Sequence, residues 1–215
     1  LAGIRRSAGV SYMALTPNMR GYEAARAAKA DEVAIFASAS EGFSRANLNC
    51  SIAESLERFL PVAEAAKADK VKVRGYVSMV TDCPFDGPIE PEAVARVAVA
   101  LRQMGCYEIS LGDTIGRGTP ETIARMLERV LEDVPAAELA GHYHDTGGRA
   151  LENIEASLAL GLRVFDASVG GLGGCPYAPG AKGNVATEAV ETRLRQQGYV
   201  TGLDVAVVAE AAAMA

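Results

Sequence analysis

The chain has 215 residues, of which 49% are hydrophobic and 22% are charged, and its formal net charge is −6. This length is enough for one sizeable hydrophobic core, and the composition is typical of a globular protein. The negative balance and the lack of a basic block argue against a nucleic-acid surface and an anionic membrane surface. No apolar run approaches the roughly 20 residues that span a bilayer, and no signal peptide is recognisable after Leu1.

Cysteine spacing indicates the redox environment. Cys50, Cys83, Cys106 and Cys175 are widely scattered and form no CxxC pair. This pattern predicts reduced thiols in a cytosol-like compartment. We expect Cys50, Cys83 and Cys106 to be packing residues, because none of them has the unusual surroundings of Cys175.

Strand-like apolar runs alternate with helical patterns along the chain. The predicted strands cover residues 10–15, 33–36, 71–77, 108–111, 139–143 and 164–167. After the second strand, the capping box Ser51-Ile52-Ala53-Glu54 predicts a helix that runs to about Ala68. Each strand is followed by a turn and then a helical pattern, which is the signature of a parallel sheet with covering helices.

Proline and glycine mark the ends of the later helices. Pro91 and Pro120 each stand where the first helical residue belongs, since proline suits that position. Gly105 and Gly161 are predicted to end helices. Two further helices are predicted over residues 186–197 and 204–213.

Two closures of such a sheet compete, an open doubly wound sheet and a TIM (β/α)₈ barrel. A barrel mouth takes polar residues from the end of nearly every strand, whereas an open sheet concentrates function at one switch point. Polar residues follow nearly every predicted strand here: Thr16, Asn18, Ser38, Ser40, Glu41, Thr81, Asp82, Asp113, Thr114, His144, Asp145 and Ser168. We therefore predict an α/β fold of the TIM-barrel class.

The count of elements falls short of a closed barrel. Only six strand–helix units can be counted, whereas a closed barrel has eight, and the chain begins on a helix-like segment at residues 1–6. We expect residues 1–215 to form a single catalytic barrel domain that is incomplete at its N-terminus, without the first two units.

The only two histidines, His142 and His144, lie at the end of the fifth predicted strand. Residues two apart in a strand point the same way, so the two imidazoles can bind one divalent cation. Asn184 can add an amide oxygen, which suits Mg²⁺ or Mn²⁺, and Asp145 can hold one imidazole in its tautomer. The alternative is two hydrogen-bonded histidines at a strand end without metal.

A glycine-crowded loop carries the fourth cysteine. Gly170, Gly171, Gly173 and Gly174 precede Cys175, and such a segment can bring backbone and thiol close to a ligand. The loop is predicted to act as a lid, with Cys175 as an acid or a nucleophile if a metal or a histidine is near. The alternative is an ordinary thiol with no chemical role.

Asp113 follows the fourth predicted strand and precedes Thr114-Ile115-Gly116. It can accept a proton or bind substrate at the mouth of the barrel. It can equally cap a turn, and the sequence leaves both interpretations open.

Several of these segments together resemble the 3-hydroxy-3-methylglutaryl-CoA lyase family. Residues 168–188 read SVGGLGGCPYAPGAKGNVATE, and this run is closely similar to the signature of that family. Further agreement lies in LTPN at residues 15–18, NCSI at 49–52, VRGYVS at 73–78, GCYEISLGDTIG at 105–116 and HYHDT at 142–146. The histidine pair and the distal asparagine are less specific, since isopropylmalate and homocitrate synthases share them.

The resemblance implies a TIM barrel that cleaves 3-hydroxy-3-methylglutaryl-CoA (HMG-CoA) into acetyl-CoA and acetoacetate. It implies that His142, His144 and Asn184 bind the Mg²⁺ or Mn²⁺, that Cys175 is the catalytic thiol, and that Asp113 lies at the substrate. Gly173 and Gly174 would belong to the substrate loop. The family's Arg-Asp pair at the end of its first strand has no counterpart here. The resemblance further implies an acyl-CoA partner, a possible homodimer, and a cytoplasmic location in a bacterium or a mitochondrial one in a eukaryote.

Retro-Claisen cleavage is consistent with these residue types. A metal lowers the pKa of the tertiary hydroxyl, with His142 or Asp113 as the base, and Cys175 can protonate the departing thioester enolate. Two alternatives remain. One is a Claisen-condensing acyltransferase of the same superfamily, which the GGCPY loop disfavours. The other is a non-catalytic barrel that binds metal or acyl-CoA.

Overall fold

The computed structural model describes residues 1–174 and 183–215. Its strands are β1 (Met13–Leu15), β2 (Glu32–Ser38), β3 (Lys72–Ser78), β4 (Asp82–Cys83), β5 (Gly87–Pro88), β6 (Glu108–Asp113), β7 (Leu139–Tyr143) and β8 (Val164–Asp166). Its helices are α1 (Met19–Ala27), α2 (Glu41–Leu48), α3 (Ile52–Ala68), α4 (Pro91–Gln103), α5 (Pro120–Leu131), α6 (Ala150–Ala159), α7 (Thr187–Gln196) and α8 (Val205–Ala213).

Six of the strands form one parallel sheet in the order β1-β2-β3-β6-β7-β8, and β4 pairs with β5 as a short antiparallel hairpin. Neighbours in the large sheet therefore follow one another along the chain. A doubly wound sheet reverses its order at a switch point, and this sheet does not. Since crossovers are right-handed, sequential order places the helices on one face and leaves the other face inside the curve. The architecture is an α/β half-barrel.

The register of the ladders decides which side chains share a face. Gly112 lies opposite His142, and His142 lies opposite Asp166, so these three residues share the inner face. The alternate residues point outward into the helices, where they are completely buried. This outer-face core includes Val33, Ile35, Val77, Ile109, Leu111 and Leu139. Apolar burial therefore lies between sheet and helices, while polar groups collect inside the curve.

Helix starts follow the capping signals in the sequence. Ser51 and Glu54 form a complete capping box at the start of α3, and Pro91 and Pro120 occupy the first turns of α4 and α5. The predicted helix to about Ala68 is confirmed. The helices predicted to stop near Gly105 and Gly161 end at Gln103 and Ala159.

Two parts of the fold differ from the sequence-based expectation. The helix-like reading of residues 1–6 is wrong, because this segment forms turns, and the first helix is α1. The hairpin of β4 and β5 was not predicted, because each of its strands has only two residues. Such a short pair leaves no alternating apolar pattern to detect.

Three of the cysteines pack in the interior. Cys50, Cys83 and Cys106 are buried free thiols, and burial raises the pKa of the Cys106 thiol to about 12. Their predicted role as packing residues is confirmed. Within the described residues, no helix has both the length and the apolar character to cross a membrane.

Removing the capping box of α3 is expected to destabilise the protein. Ser51 Oγ accepts from the backbone N–H of Glu54 at 3.2 Å, and the Glu54 carboxylate accepts from the backbone N–H of Ser51 at 2.8 Å. Ser51→Ala should lower the free energy of unfolding by about 1 kcal/mol, measured by urea titration. Ser7→Ala, at an exposed turn, is the matched control, and equal midpoints for the two variants would contradict the capping role.

Candidate active site

The two histidines lie next to each other at the C-terminal end of β7. His142 is inside the strand and His144 directly follows it. Their ring centroids are 5.5 Å apart with an angle of 46° between the planes. The structure thus brings the two imidazoles of the predicted metal site together on the inner side of the sheet.

Asn184 joins this pair from a distant part of the chain. It forms an isolated antiparallel bridge with His144, and its side-chain Nδ2 donates to the carbonyl oxygen of Leu172 at 3.0 Å. That bond orients the amide, and no described residue donates a hydrogen bond to its Oδ1. The side-chain oxygen is therefore the atom of Asn184 that is free to bind a hard cation.

The glycine segment packs against Asn184. The backbone N–H of Asn184 donates to the carbonyl oxygen of Gly173 at 3.1 Å. Gly173 has a φ of +94°, and a Cβ atom there would lie 2.8 Å from Asn184 Nδ2, so only glycine fits this position without displacement. Around Gly174 a Cβ atom would meet nothing within 4 Å. Cys175, the predicted catalytic thiol, lies outside the described residues, and its position stays a prediction.

His144 is held in its neutral form by its surroundings. Its exposed fraction is 8%, and its Nδ1 is buried without a hydrogen-bond partner among the described residues. Burial and the adjacent His142 lower the pKa of His144 to about 4. A neutral imidazole with an unused nitrogen is the form that binds a metal ion.

His142 has a partner outside the residues that the sequence predicts for the site. Its Nδ1 lies 3.1 Å from Oδ2 of Asp166, the residue opposite it in the ladder between β7 and β8. The Asp145 carboxylate, which was expected to hold an imidazole, accepts instead from the backbone N–H of Ala150 at the start of α6. The expectation for Asp145 is wrong because its side chain turns back to cap the helix that follows.

Asp113 lies on the other face of the sheet. It pairs in register with Tyr143, whereas Gly112 pairs with His142. Its exposed fraction is 1%, and its carboxylate accepts from Thr81 Oγ1 and the backbone N–H of Gly118, both at 2.9 Å. Burial raises the pKa of this carboxyl. These contacts are those of a turn cap, the second of the two interpretations left open by the sequence.

An apolar cavity opens in front of His142, with a volume of about 650 Å³. Its walls come from the inner faces of β1, β2 and β3 and from α2. The lining residues are Met13, Leu15, Pro17, Ala34, Phe36, Asn47, Leu48, Tyr76, Ser78 and His142. The imidazole pair therefore lies at the edge of a space large enough for a small organic ligand.

The donor set around His144 fits a divalent cation. Imidazole nitrogens suit divalent transition-metal ions, and the amide oxygen is a ligand that suits Mg²⁺ or Mn²⁺. Within residues 1–174 and 183–215, no cluster of three or more His, Cys, Asp or Glu has metal-binding geometry. Among the described residues, the ligands of such a cation would be the two imidazoles and the amide oxygen of Asn184.

The fold and the position of the site define a TIM-barrel protein with chemistry at the C-terminal ends of its strands. The sequence model of the HMGL-like family matches residues 3–215. The chain belongs to the HMGL-like family.

Individual relatives agree with this assignment. The chain is 58% identical over 202 residues to hydroxymethylglutaryl-CoA lyase of Pseudomonas mevalonii, covering 94% of this chain and 67% of that protein. The crystal structure of the HMG-CoA lyase from Brucella melitensis superposes with a TM-score of 0.97 at 64% identity, covering 98% of this chain and 75% of that chain. The structure of an HMG-CoA lyase from Acinetobacter baumannii, in complex with coenzyme A and 3-methylmalate, superposes with a TM-score of 0.92 at 34% identity, covering 98% of this chain and 69% of that chain. These similarities confirm the predicted family and its TIM-barrel fold.

Acidification is expected to destabilise the metal-free protein through His144. An imidazole that titrates at 6.5 in the unfolded chain titrates at about 4 in the folded protein, so the unfolded state takes up its proton first. The contribution of neutral His144 to the free energy of unfolding is complete above pH 6.5, and it disappears as the pH falls to about 4. Urea unfolding in chelator should show a loss of roughly 2 kcal/mol between pH 7 and pH 5.

His144→Gln provides the control for this pH dependence. The glutamine does not titrate, so the variant should lose most of the difference between pH 7 and pH 5. The same slope in wild type and variant would assign the pH effect to other groups.

Proposed function

We propose that residues 1–215 form a catalytic domain that cleaves HMG-CoA to acetyl-CoA and acetoacetate. The observation that carries this proposal is the juxtaposition of His142, His144 and Asn184 with the glycine segment that leads to Cys175. The similarity to proteins named HMG-CoA lyase, at 58% identity over 202 residues, supports the choice of substrate.

The proposed cofactor is Mg²⁺ or Mn²⁺, held by His142, His144 and Asn184. When bound, such a cation lowers the pKa of the tertiary hydroxyl of the substrate. Burial keeps His144 neutral, and Leu172 orients the amide of Asn184. These two ligands are thus preorganised in the metal-free protein, which reduces the rearrangement that cation binding requires.

His142 is the base that the geometry favours over Asp113. It lines the cavity, whereas the Asp113 carboxylate is buried on the opposite face of the sheet and occupied by Thr81 and Gly118. With Nδ1 against Asp166, His142 has one nitrogen left, so it can act as the base only while that nitrogen is not bound to the cation. The carboxylate on Nδ1 strengthens this second nitrogen for either role.

The proposed cleavage needs no external oxidant or reductant. The base takes the hydroxyl proton, the carbonyl of acetoacetate forms, and the adjacent carbon–carbon bond breaks. Its electron pair passes to the acetyl-CoA fragment as a thioester enolate. Cys175 is proposed to give this carbon a proton, which restores acetyl-CoA.

The proposed partner is an acyl-CoA, and the homologous structure with coenzyme A and 3-methylmalate supports this choice. A homodimer is proposed from the family resemblance. We propose the cytoplasm as the compartment for a bacterial chain and the mitochondrial matrix for a eukaryotic one. The free thiols of Cys50, Cys83 and Cys106 are consistent with either location.

The purified protein should release acetyl-CoA and acetoacetate from HMG-CoA in the presence of Mg²⁺ or Mn²⁺. A chelator should abolish this release, and addition of either cation should restore it, because the proposed reaction depends on the cation held by His142, His144 and Asn184. Coupled assays for both products measure the reaction. Condensation of acetyl-CoA with a 2-oxo acid in place of cleavage would favour the acyltransferase, and no turnover despite metal binding would favour a non-catalytic barrel.

Replacing the loop thiol should separate chemistry from metal binding. Cys175→Ala should abolish cleavage, with a loss of at least about 100-fold in kcat, because general acid catalysis contributes factors of that order. Mn²⁺ affinity should remain almost unchanged, since the thiol is not a proposed ligand. Cys50→Ala, at a buried position, is the matched control, and unchanged turnover in Cys175→Ala would refute the role of this thiol.

A further inference from the structure

A buried ion pair lies on the inner face of the sheet beneath the histidines. Arg74, with an exposed fraction of 4%, contacts Asp166 through Nη1 at a distance of 2.6 Å from Oδ1. Its Nε donates to Glu108 Oε1, and its Nη1 also donates to the hydroxyl of Tyr76, both at 2.6 Å. These contacts join β3, β6 and β8 through one guanidinium group.

Both oxygens of the Asp166 carboxylate have fixed partners. Oδ1 accepts from Arg74, while Oδ2 accepts from Ser110 Oγ at 2.8 Å and lies 3.1 Å from His142 Nδ1. Because it is paired with the Arg74 guanidinium and also receives the Ser110 hydroxyl, the carboxylate is the acceptor in its contact with His142.

An acceptor at this position determines which nitrogen of His142 carries the proton. We propose that Asp166, held by Arg74 and Ser110, is a positioning residue that keeps His142 protonated at Nδ1 and leaves Nε2 with its lone pair. The use of that lone pair for a divalent cation rests on the proposed function, whereas the tautomer does not. Carboxylate partners of ligating histidines have this effect in many metal sites.

The second ring has no equivalent partner. His144 Nδ1 is buried without a hydrogen bond among the described residues, so nothing described fixes its tautomer from that side. The two histidines should therefore differ in a measurement that reports the position of the ring proton. A purely structural ion pair between Arg74 and Asp166 would not produce that difference.

The chain contains only two histidines, so its imidazole spectrum can be assigned with one variant. In metal-free protein labelled with ¹⁵N-histidine, long-range ¹H–¹⁵N correlation spectra at pH 7.5 report the tautomer, and His144→Gln assigns the rings. We expect His142 with a protonated Nδ1 and a bare Nε2. A proton on Nε2, or an averaged pair of tautomers, would overturn the proposal.

Asp166→Asn tests the consequence for the ligand. It should convert His142 to a mixture of tautomers and weaken Mn²⁺ binding by about 10- to 100-fold, measured by electron paramagnetic resonance of the free ion. Asp69→Asn is the matched control, because Asp69 also accepts from an arginine and a tyrosine but lies on the surface. Wild-type tautomer and affinity in Asp166→Asn would overturn the proposal.

Two further measurements keep the outcome decisive. Asp166→Asn removes one of the two carboxylates that pair with Arg74. If this variant does not fold, Ser110→Ala and the wild-type spectrum test the proposal. Ser110→Ala removes one donor to Oδ2 and keeps the ion pair, so it should weaken Mn²⁺ binding by a smaller factor than Asp166→Asn. If wild type binds no Mn²⁺ but shows the Nδ1 tautomer, the proposed function fails while the positioning role of Asp166 stands.

Discussion

The alternation of side chains along parallel strands is the constraint on which this structure depends. Each ladder aligns residues of neighbouring strands so that alternate positions share a face. In the adjoining ladders of β6, β7 and β8, Gly112, His142 and Asp166 lie on one row. A shift of one residue in β7 would turn His142 into the helical layer and put Tyr143 inside. The apolar outer face, buried against the helices, opposes such a shift.

The same alternation separates two kinds of buried polar group. Arg74 and Asp166 lie inside the curve, where each charge has a partner of opposite sign. Asp113 lies in the helical layer, where its carboxylate accepts two backbone N–H groups and one hydroxyl. Replacing a buried ion pair with apolar groups is often neutral for stability, so such a pair indicates little about why a fold is stable. Its effect on the orientation of His142 is the better reason for a charged pair at this place.

The sequence predicts elements well where the signal is local. The capping box at Ser51 and the proline at residue 120 depend on neighbours along the chain, and α3 and α5 begin where those signals indicate. The sequence does not indicate the contact between His142 and Asp166, which are 24 residues apart, because the contact depends on the register of β7 and β8. The sequence does not indicate the face of Asp113 for a similar reason, since that face is decided by where β6 pairs with β7. One feature of the sequence indicates a role for Asp166, namely that it is a charged residue in the short apolar strand β8.

The two imidazoles are held by different physical means. His144 stays neutral because burial disfavours its charged form, and its lowered pKa of about 4 leaves a lone pair available at neutral pH. His142 instead has an ionised carboxylate at Nδ1, which fixes the ring proton on that nitrogen. Burial alone leaves a ring free to exchange tautomers, while a carboxylate partner fixes one tautomer. At the C-terminal end of β7, His144 therefore resists protonation and His142 is firmly oriented. Neither environment provides both properties by itself.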